Sequence, residues 1–330
     1  MDYVFNVGLL IIGFLFLVKG ADFFVASSSS IARKFNVSPL VIGLTLVAFG
    51  TSLPELAVSF IASLTVEPGA TADIAMGNVI GSNIVNITLI LGLTALAKPV
   101  KVSKTMHKKE FPYLILASVL ILLLSLFFQS DTQIVWYEAI ILLIAFIGYV
   151  YIMIKSGKNS DDQGEFKVLD MKKAIFLLIL GLAGVTTGGY MVTEGASNLA
   201  TSVLVSFFSM TETKAITLVG LSIVAVGTSL PEMVTSIVAA RKGENEIAFG
   251  NLVGSNIFNI LFILGLSGLF NPLGINGDVM IDTYIMLAVT VIAVLMAISK
   301  GVVTKKEGLL LTLIYVSYVI YIILRALSIL

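Results

Sequence analysis

Long runs of apolar residues, separated by short stretches rich in charge or turn formers, fill almost the whole chain. Each run is at or above the roughly 20 residues a helix needs to cross the hydrocarbon core of a bilayer. Ten can be delimited, near residues 4–32, 38–64, 72–97, 110–128, 133–154, 174–206, 214–240, 247–270, 279–298 and 308–328. The pattern predicts an all-α polytopic membrane protein with ten transmembrane helices. A β-barrel would alternate apolar and polar positions over short segments. The runs at 4–32 and 174–206 are long enough to cross at a steep tilt. Asp2 stands where a cleaved leader would carry positive charge, so the first run reads as a retained span.

The polar breaks give the orientation. Arg33 and Lys34 follow the first run, and Lys98, Lys101, Lys104, Lys108 and Lys109 the third. Lys155, Lys158, Lys167, Lys172 and Lys173 follow the fifth, Arg241 and Lys242 the seventh, and Lys300, Lys305 and Lys306 the ninth. That is 17 of the 20 basic residues on one side, against Lys214 and Arg325 on the other and Lys19 inside the first run. The positive-inside rule then puts both termini outside the cell membrane. Five spans per half is an odd number, so the second half must enter the membrane from the opposite face. Residues 1–155 and 172–330 are therefore expected to form two inverted-topology five-helix repeats, joined by a cytoplasmic linker at 156–171. Asp161, Asp162, Glu165 and Asp170 in that linker read as a solvated connector.

Composition narrows the function. The chain is 58% hydrophobic and only 12% charged, against about 25% charged in soluble domains, which leaves no room for a separate soluble domain. Net charge is zero, so no basic surface for nucleic acid is expected. Cysteine is absent, which excludes disulfides and thiolate metal sites. The single histidine, His107, lies among Lys104, Lys108 and Lys109 and is expected in a loop, excluding a histidine proton relay within the membrane. No resident cofactor and no protein partner are indicated, the lipid bilayer apart.

One octapeptide occurs twice. Ala48-Phe49-Gly50-Thr51-Ser52-Leu53-Pro54-Glu55 returns as Ala225-Val226-Gly227-Thr228-Ser229-Leu230-Pro231-Glu232. Each copy is followed by an echo, Gly77-Asn78-Val79-Ile80-Gly81-Ser82-Asn83 and Gly250-Asn251-Leu252-Val253-Gly254-Ser255-Asn256. Glu55 is the only charge in residues 35–66, and Glu232 the only one in 215–240. A carboxylate near the centre of a membrane helix costs about 2.5–3.5 kcal/mol, so such a residue marks a site. Packing alone accounts for small residues in a membrane helix, but not for two matching glutamates.

Pro54 and Pro231 lack the N–H that their helices require, and each ring pushes aside the carbonyl four residues earlier. Freed carbonyls are expected around Ala48–Gly50 and around Ala225, tolerable only where they line a polar cavity. Helical spacing puts Thr51, Ser52, Glu55 and Ser59 on one face, and Thr228, Ser229, Glu232 and Ser236 on another. Asn78, Ser82 and Asn86 recur at intervals of four, as do Asn251, Ser255 and Asn259. Every donor is a hard oxygen, suited to Na⁺ or Ca²⁺ and unsuited to zinc or copper.

In these motifs the chain resembles the cation/calcium exchanger superfamily, specifically its microbial Na⁺/Ca²⁺ exchanger branch, and the resemblance covers the whole chain. It implies a central Ca²⁺ held by Glu55, Glu232, Thr51 and Thr228. It also implies flanking Na⁺ sites that add Ser52, Ser229, Ser82, Ser255 and the carbonyls of Ala48 and Ala225, with Asn86 and Asn259 lining the middle. The potassium-dependent branch typically has Asp at the place of Asn259, so the resemblance implies exchange without K⁺. The implied activity is secondary antiport, with Ca²⁺ extruded by the Na⁺ gradient through alternating access; a Ca²⁺/H⁺ antiporter using the same glutamates is the alternative. A channel fits the broken helices and inverted repeat less well. An intramembrane enzyme lacks its HExxH, aspartate dyad or Ser–His pair. Lys19 and Asp22 form an i, i+3 pair in the first run, and Glu194 falls near the outer end of the sixth. The stretches Ala26–Ser30 and Gly195–Ser197 read as smooth faces along which spans one and six could slide against the rest.

The topology is directly testable because the chain has no thiol of its own. A Ser160→Cys variant should resist a membrane-impermeant maleimide in intact cells and react after permeabilisation, and Lys214→Cys should react in intact cells. Labelling of the former in intact cells would refute the orientation.

Overall fold

The computed structural model describes residues 3–67, 70–103, 105–127, 133–156, 169–208, 211, 215, 219, 223 and 225–326. Its long elements are helices: α1 (Tyr3–Lys34), α2 (Pro39–Thr51), α3 (Leu53–Thr65), α4 (Asp73–Ala97), α5 (Phe111–Phe127), α6 (Trp136–Ser156) and α7 (Met171–Phe208). They continue as α8 (Ala225–Gly227), α9 (Leu230–Lys242), α10 (Asn245–Phe270), α11 (Gly277–Lys300) and α12 (Lys305–Ala326). Among the described residues eight helices are long and apolar enough to cross a membrane, and α2 with α3, bent by 51°, makes one more broken span. The expected run at 214–240 is described only in part, from Ala225 onward and at isolated positions before it. Most of the linker at 156–171 lies outside the described residues, with Asp161, Asp162 and Glu165, as do Lys104, Lys158, Lys167 and Lys214.

Two short antiparallel ladders tie the helix ends together. In one, β1 (Val100–Lys101) pairs with β4 (Val302–Val303); in the other, β2 (Gln133–Ile134) pairs with β3 (Leu273–Gly274). The first ladder gathers Lys98, Lys101, Lys300, Lys305 and Lys306 at one end of the helices. Lys98 Nζ also donates to the Arg241 carbonyl at 3.3 Å, which adds Arg241 and Lys242 to that end. Arg325 lies at the far end of α12, bonded through both terminal nitrogens to Asp282. His107 is not in a loop. It belongs to the π-helical turn Met106–Glu110 that leads into α5, with its ring stacked on Phe111. The lysines make this stretch look like a connector, yet the backbone is already helical there.

The centre of the molecule is α4 and α10, with 78% and 83% of their most apolar stretches buried, against 17% for α12. Their polar side chains therefore face protein and not lipid. α3 packs on α4 as α9 packs on α10, while α12 covers α4 and α6 covers α10. Gly243, at φ 88°, supplies the left-handed residue that turns α9 sharply into α10.

α1 and α7 form a pair of their own, and glycine is the reason. A Cβ on Gly20 would lie 2.7 Å from the Val185 nitrogen, and one on Gly188 2.6 Å from the Gly13 oxygen, so the two backbones touch. The stretch beginning at Gly195 is spent inside this pair: a Cβ there would meet the Asn6 carbonyl at 2.8 Å, so the glycine forms no smooth face toward the rest. Ser27 to Ser30 are buried, and Ser29 Oγ donates to Glu244 Oε1 at 2.6 Å. Asp22 pairs with Lys242 at 3.0 Å and not with Lys19, because the end of α9 brings an ammonium group against α1. Glu194 is exposed and accepts from Asn198 Nδ2 at 3.2 Å.

Gly188→Leu would force α1 and α7 apart, and overpacking of this kind costs about 1–3 kcal/mol. The purified variant should melt several degrees below the parent. Gly8→Ala, where an added Cβ meets nothing within 4 Å and alanine is the better helix former, should not lower the melting temperature. Equal melting of Gly188→Leu and parent would show that the glycine contact contributes nothing.

Candidate cation-binding site

The repeated octapeptide breaks its helix at the serine. α2 ends at Thr51, Ser52 leaves helical geometry at φ −83° and ψ 11°, and α3 starts at Leu53 with Pro54 in its first turn. Ser229, at φ −89° and ψ 7°, makes the same break before α9, with Pro231 in the first turn. Proline costs no hydrogen bond at that position. The break lies later than a freed Ala48 carbonyl requires: that oxygen accepts the Ser52 N–H at 3.0 Å and lies 3.4 Å from the Thr51 hydroxyl. Ala225 opens the short helix α8. The geometry also puts Glu55 and Glu232 in the first turns of α3 and α9. Unpaired N–H groups and the positive end of the helix dipole favour a negative charge there.

The two halves then bind each other crosswise. Ser52 Oγ donates to Glu232 Oε1 at 2.8 Å, and Ser229 Oγ donates to Glu55 Oε1 at 2.9 Å. All four residues are fully buried. The carboxylates are near enough for their charges to interact directly. Ser82 on α4 lies beside Glu55, and Ser255 on α10 beside Glu232. The predicted faces thus converge, although each glutamate is bonded by the serine of the opposite half and not by the one three residues before it.

A second layer fixes the backbone. Asn78 Nδ2 donates to Ser59 Oγ at 2.9 Å and to the Glu55 carbonyl at 3.2 Å, clamping α3 to α4. Asn251 Nδ2 does the same to Ser236 Oγ at 3.0 Å and the Glu232 carbonyl at 3.4 Å, clamping α9 to α10. Ser59 and Ser236 therefore serve these clamps. The halves differ in one respect. Thr51 is buried with its Oγ 3.0 Å from Asn251 Oδ1, whereas the Thr228 hydroxyl has no partner and residue 228 as a whole is half-buried, as is Asn78.

Asn86 and Asn259 open π-helical turns, Asn86–Ile90 in α4 and Asn259–Ile263 in α10. Such turns often accompany functional sites, since the extra residue re-aims the side chains beside it. Asn86 Nδ2 donates to Asn256 Oδ1 at 3.3 Å, and Asn259 Nδ2 to Asn83 Oδ1 at 3.2 Å. Asn83 and Asn256 were not among the expected site residues, though they close the repeated Gly-Asn-x-x-Gly-Ser-Asn echo.

Seven buried oxygens in this region lack a hydrogen-bond partner: Glu55 Oε2, Glu232 Oε2, Ser82 Oγ, Ser255 Oγ, Asn86 Oδ1, Asn259 Oδ1 and Thr228 Oγ1. Buried polar atoms are ordinarily satisfied, so a group of orphans needs an explanation. These are hard oxygens drawn from both halves, with two negative charges and, among the described residues, no Lys or Arg paired to either glutamate. That donor set fits Na⁺ or Ca²⁺.

Comparison with known proteins agrees with this chemistry. The family model described as "sodium/calcium exchanger protein" matches residues 5–155 and 173–324. The chain is 37% identical over 322 residues to a putative antiporter CaxA of Alkalimonas amylolytica, covering 94% of this chain and 96% of the relative. It is 35% identical to the sodium/calcium exchanger MaX1 of Methanosarcina acetivorans, covering 96% and 97%. Its fold matches a solved structure of the sodium-calcium exchanger NCX_Mj with a TM-score of 0.81 at 31% identity, over 97% of this chain and 100% of the other.

If the two carboxylates share one divalent ion, neutralising either removes charge compensation that the remaining ligands cannot supply. Glu55→Gln and Glu232→Gln should each abolish the rise in melting temperature produced by Ca²⁺ while remaining folded in cation-free buffer. Asp22→Asn, at the helix-end ion pair, should keep that rise. A Ca²⁺-induced shift of normal size in either glutamine variant would remove the glutamates from the site.

Proposed function

The chain belongs to the sodium/calcium exchanger protein family, and on that premise we propose that it is a Na⁺-driven antiporter that extrudes Ca²⁺ across the cell membrane. In this reading ten spans form two inverted five-helix repeats, 1–155 and 172–330, joined by a cytoplasmic linker at 156–171, with both termini outside. Ca²⁺ binds between Glu55, Glu232, Thr51 and Thr228. Na⁺ binds beside it through Ser52, Ser229, Ser82, Ser255 and the carbonyls of Ala48 and Ala225, and Asn86 and Asn259 line the middle.

The observation that carries the proposal is the group of orphaned oxygens around two carboxylates bonded crosswise between the halves. Two buried negative charges compensate one Ca²⁺ or the same charge in Na⁺, but not both together, since excess positive charge in a low-dielectric site is as costly as the deficit. Mutually exclusive occupancy of one site is what couples the two ions. The unequal states of Thr51 and Thr228 support alternating access. Near-identical octapeptides stand in different environments, and interchange of the two environments would expose the site to the other side.

In proteoliposomes loaded with Na⁺, external radioactive Ca²⁺ should accumulate only while the Na⁺ gradient persists. Uptake should proceed in K⁺-free medium and be unaffected by a protonophore. Accumulation driven by a pH gradient and indifferent to Na⁺ would replace this reading with a Ca²⁺/H⁺ antiporter.

A further inference from the structure

An asparagine can turn either its oxygen or its NH₂ group toward a cation, and only the oxygen is a ligand. Asn259 follows Ser255 by one turn and Asn86 follows Ser82, so both share the face of α10 or α4 that carries the site hydroxyls. What decides which end of each carboxamide faces the ion lies in the layer behind.

The chain of constraints starts from the backbone. Asn83 Nδ2 is 3.2 Å from the main-chain carbonyl of Asn256, an oxygen that can only accept. Asn83 must therefore turn its NH₂ toward that carbonyl, a placement reinforced by Met286 Sδ at 3.7 Å. Its oxygen is then left facing Asn259, which answers with Nδ2 at 3.2 Å. Reversing Asn259 would set two lone-pair oxygens against each other, and reversing Asn83 as well would set its oxygen against the Asn256 carbonyl. Both residues are buried, Asn83 to 1% and Asn259 to 0% exposure, so water cannot relieve either clash. One orientation survives, and it leaves Asn259 Oδ1 without a protein partner. On the other side Asn256 Oδ1 accepts Asn86 Nδ2 at 3.3 Å and leaves Asn86 Oδ1 unpartnered in the same way. The NH₂ group of Asn256 itself has no partner, so Asn83 is the more firmly held of the two.

We propose that Asn83 is a positioning residue for cation binding: it touches no ion, but locks the Asn259 carboxamide with its oxygen toward the site. Asn256 holds the corresponding place beside Asn86, without an anchor for its own NH₂ group. The proposal rests on the exchanger reading above. It also ties the residue at 259 to the one at 83, because a carboxylate at 259 has an oxygen in either orientation and needs no such lock.

A double-mutant cycle between the two positions tests this, with Ca²⁺ transport kinetics and the Ca²⁺-induced shift in melting temperature as readouts. Loss of one hydrogen bond that orients a cation ligand should raise the KM for Ca²⁺ in Asn83→Leu by about tenfold, with the maximal rate little changed. Asn83→Asp, in its neutral form, can donate its hydroxyl to the Asn256 carbonyl and keep an acceptor for Asn259 Nδ2, and should recover most of that loss. In the Asn259→Asp background a carboxylate oxygen stands against Asn83 Oδ1, so adding Asn83→Leu should not raise the KM. Equal losses from Asn83→Leu in both backgrounds, or no rescue by Asn83→Asp, would overturn the proposal and leave Asn83 as a packing residue. If Asn83→Leu does not fold, the Asn83→Asp and Asn83→Ser variants carry the same comparison. The shorter serine hydroxyl cannot span the gap, so equal KM values for serine and aspartate would likewise overturn it. Absence of Na⁺-driven Ca²⁺ transport in the parent protein would instead count against the exchanger reading.

Discussion

Two carboxylates buried inside a bundle of apolar helices are the constraint around which the rest of this molecule is arranged. Each would cost about 2.5–3.5 kcal/mol at the middle of an ordinary membrane helix, and their mutual repulsion adds to that. Three features reduce the cost. The helix breaks at Ser52 and Ser229 put each glutamate in a first turn, where free N–H groups and the dipole favour an anion. Each carboxylate receives a hydroxyl from the opposite half. One oxygen of each is left without a protein partner, and a cation bound as proposed above would supply the remaining compensation. Proline, serine and glutamate in the octapeptide thus serve one end: the proline sets where the helix restarts, and the restart sets where a carboxylate is tolerable.

The division of the fold follows from the same constraint. A site built from oxygens of both halves must be surrounded by helices that keep lipid out, and α4 and α10 fill that place. α1 and α7 are joined to each other by backbone contact at Gly13, Gly20 and Gly188, and they pack on the centre through Phe24, Val25 and Leu182. Their attachments to the centre at the lysine-rich end are the Asp22–Lys242 and Arg33–Glu244 pairs, at 3.0 and 3.4 Å, with Ser29 bonded to the same Glu244. The Asp22 pair is about one-third exposed and contributes little to stability. An attachment of that kind can break and re-form at little cost.

The inventory of the site was legible in the chain because charge and repetition stand out against an apolar background. Glu55 and Glu232 are conspicuous as isolated charges, and Thr51, Ser52, Ser82, Asn86 and their counterparts follow from helical spacing and from the duplication. Hydrophobic run lengths gave the helices, since the bilayer admits few alternatives. Where the reading departed from the structure, a local cue had been outweighed by a distant one. His107 looked like a loop residue because its neighbours are lysines, yet the backbone is helical there. Asp22 was matched with Lys19 on its own helix, but Lys242 arrives from α9, 220 residues later.

What only the tertiary structure decided is which atom meets which. Spacing on one helix suggests that Ser52 serves Glu55, and the fold gives it to Glu232. Nothing in the sequence marks the π-helical turns at Asn86 and Asn259, because inserting one residue into a helical turn leaves no compositional trace. The orientation of the Asn259 carboxamide depends on a backbone carbonyl at Asn256 reached through Asn83 on another helix. The sequence by itself determined the solvent, the helices and the oxygen chemistry, since these depend on residue type and short-range periodicity. The pairing of those oxygens across the two halves depends on distances between segments nearly two hundred residues apart, and packing alone sets them.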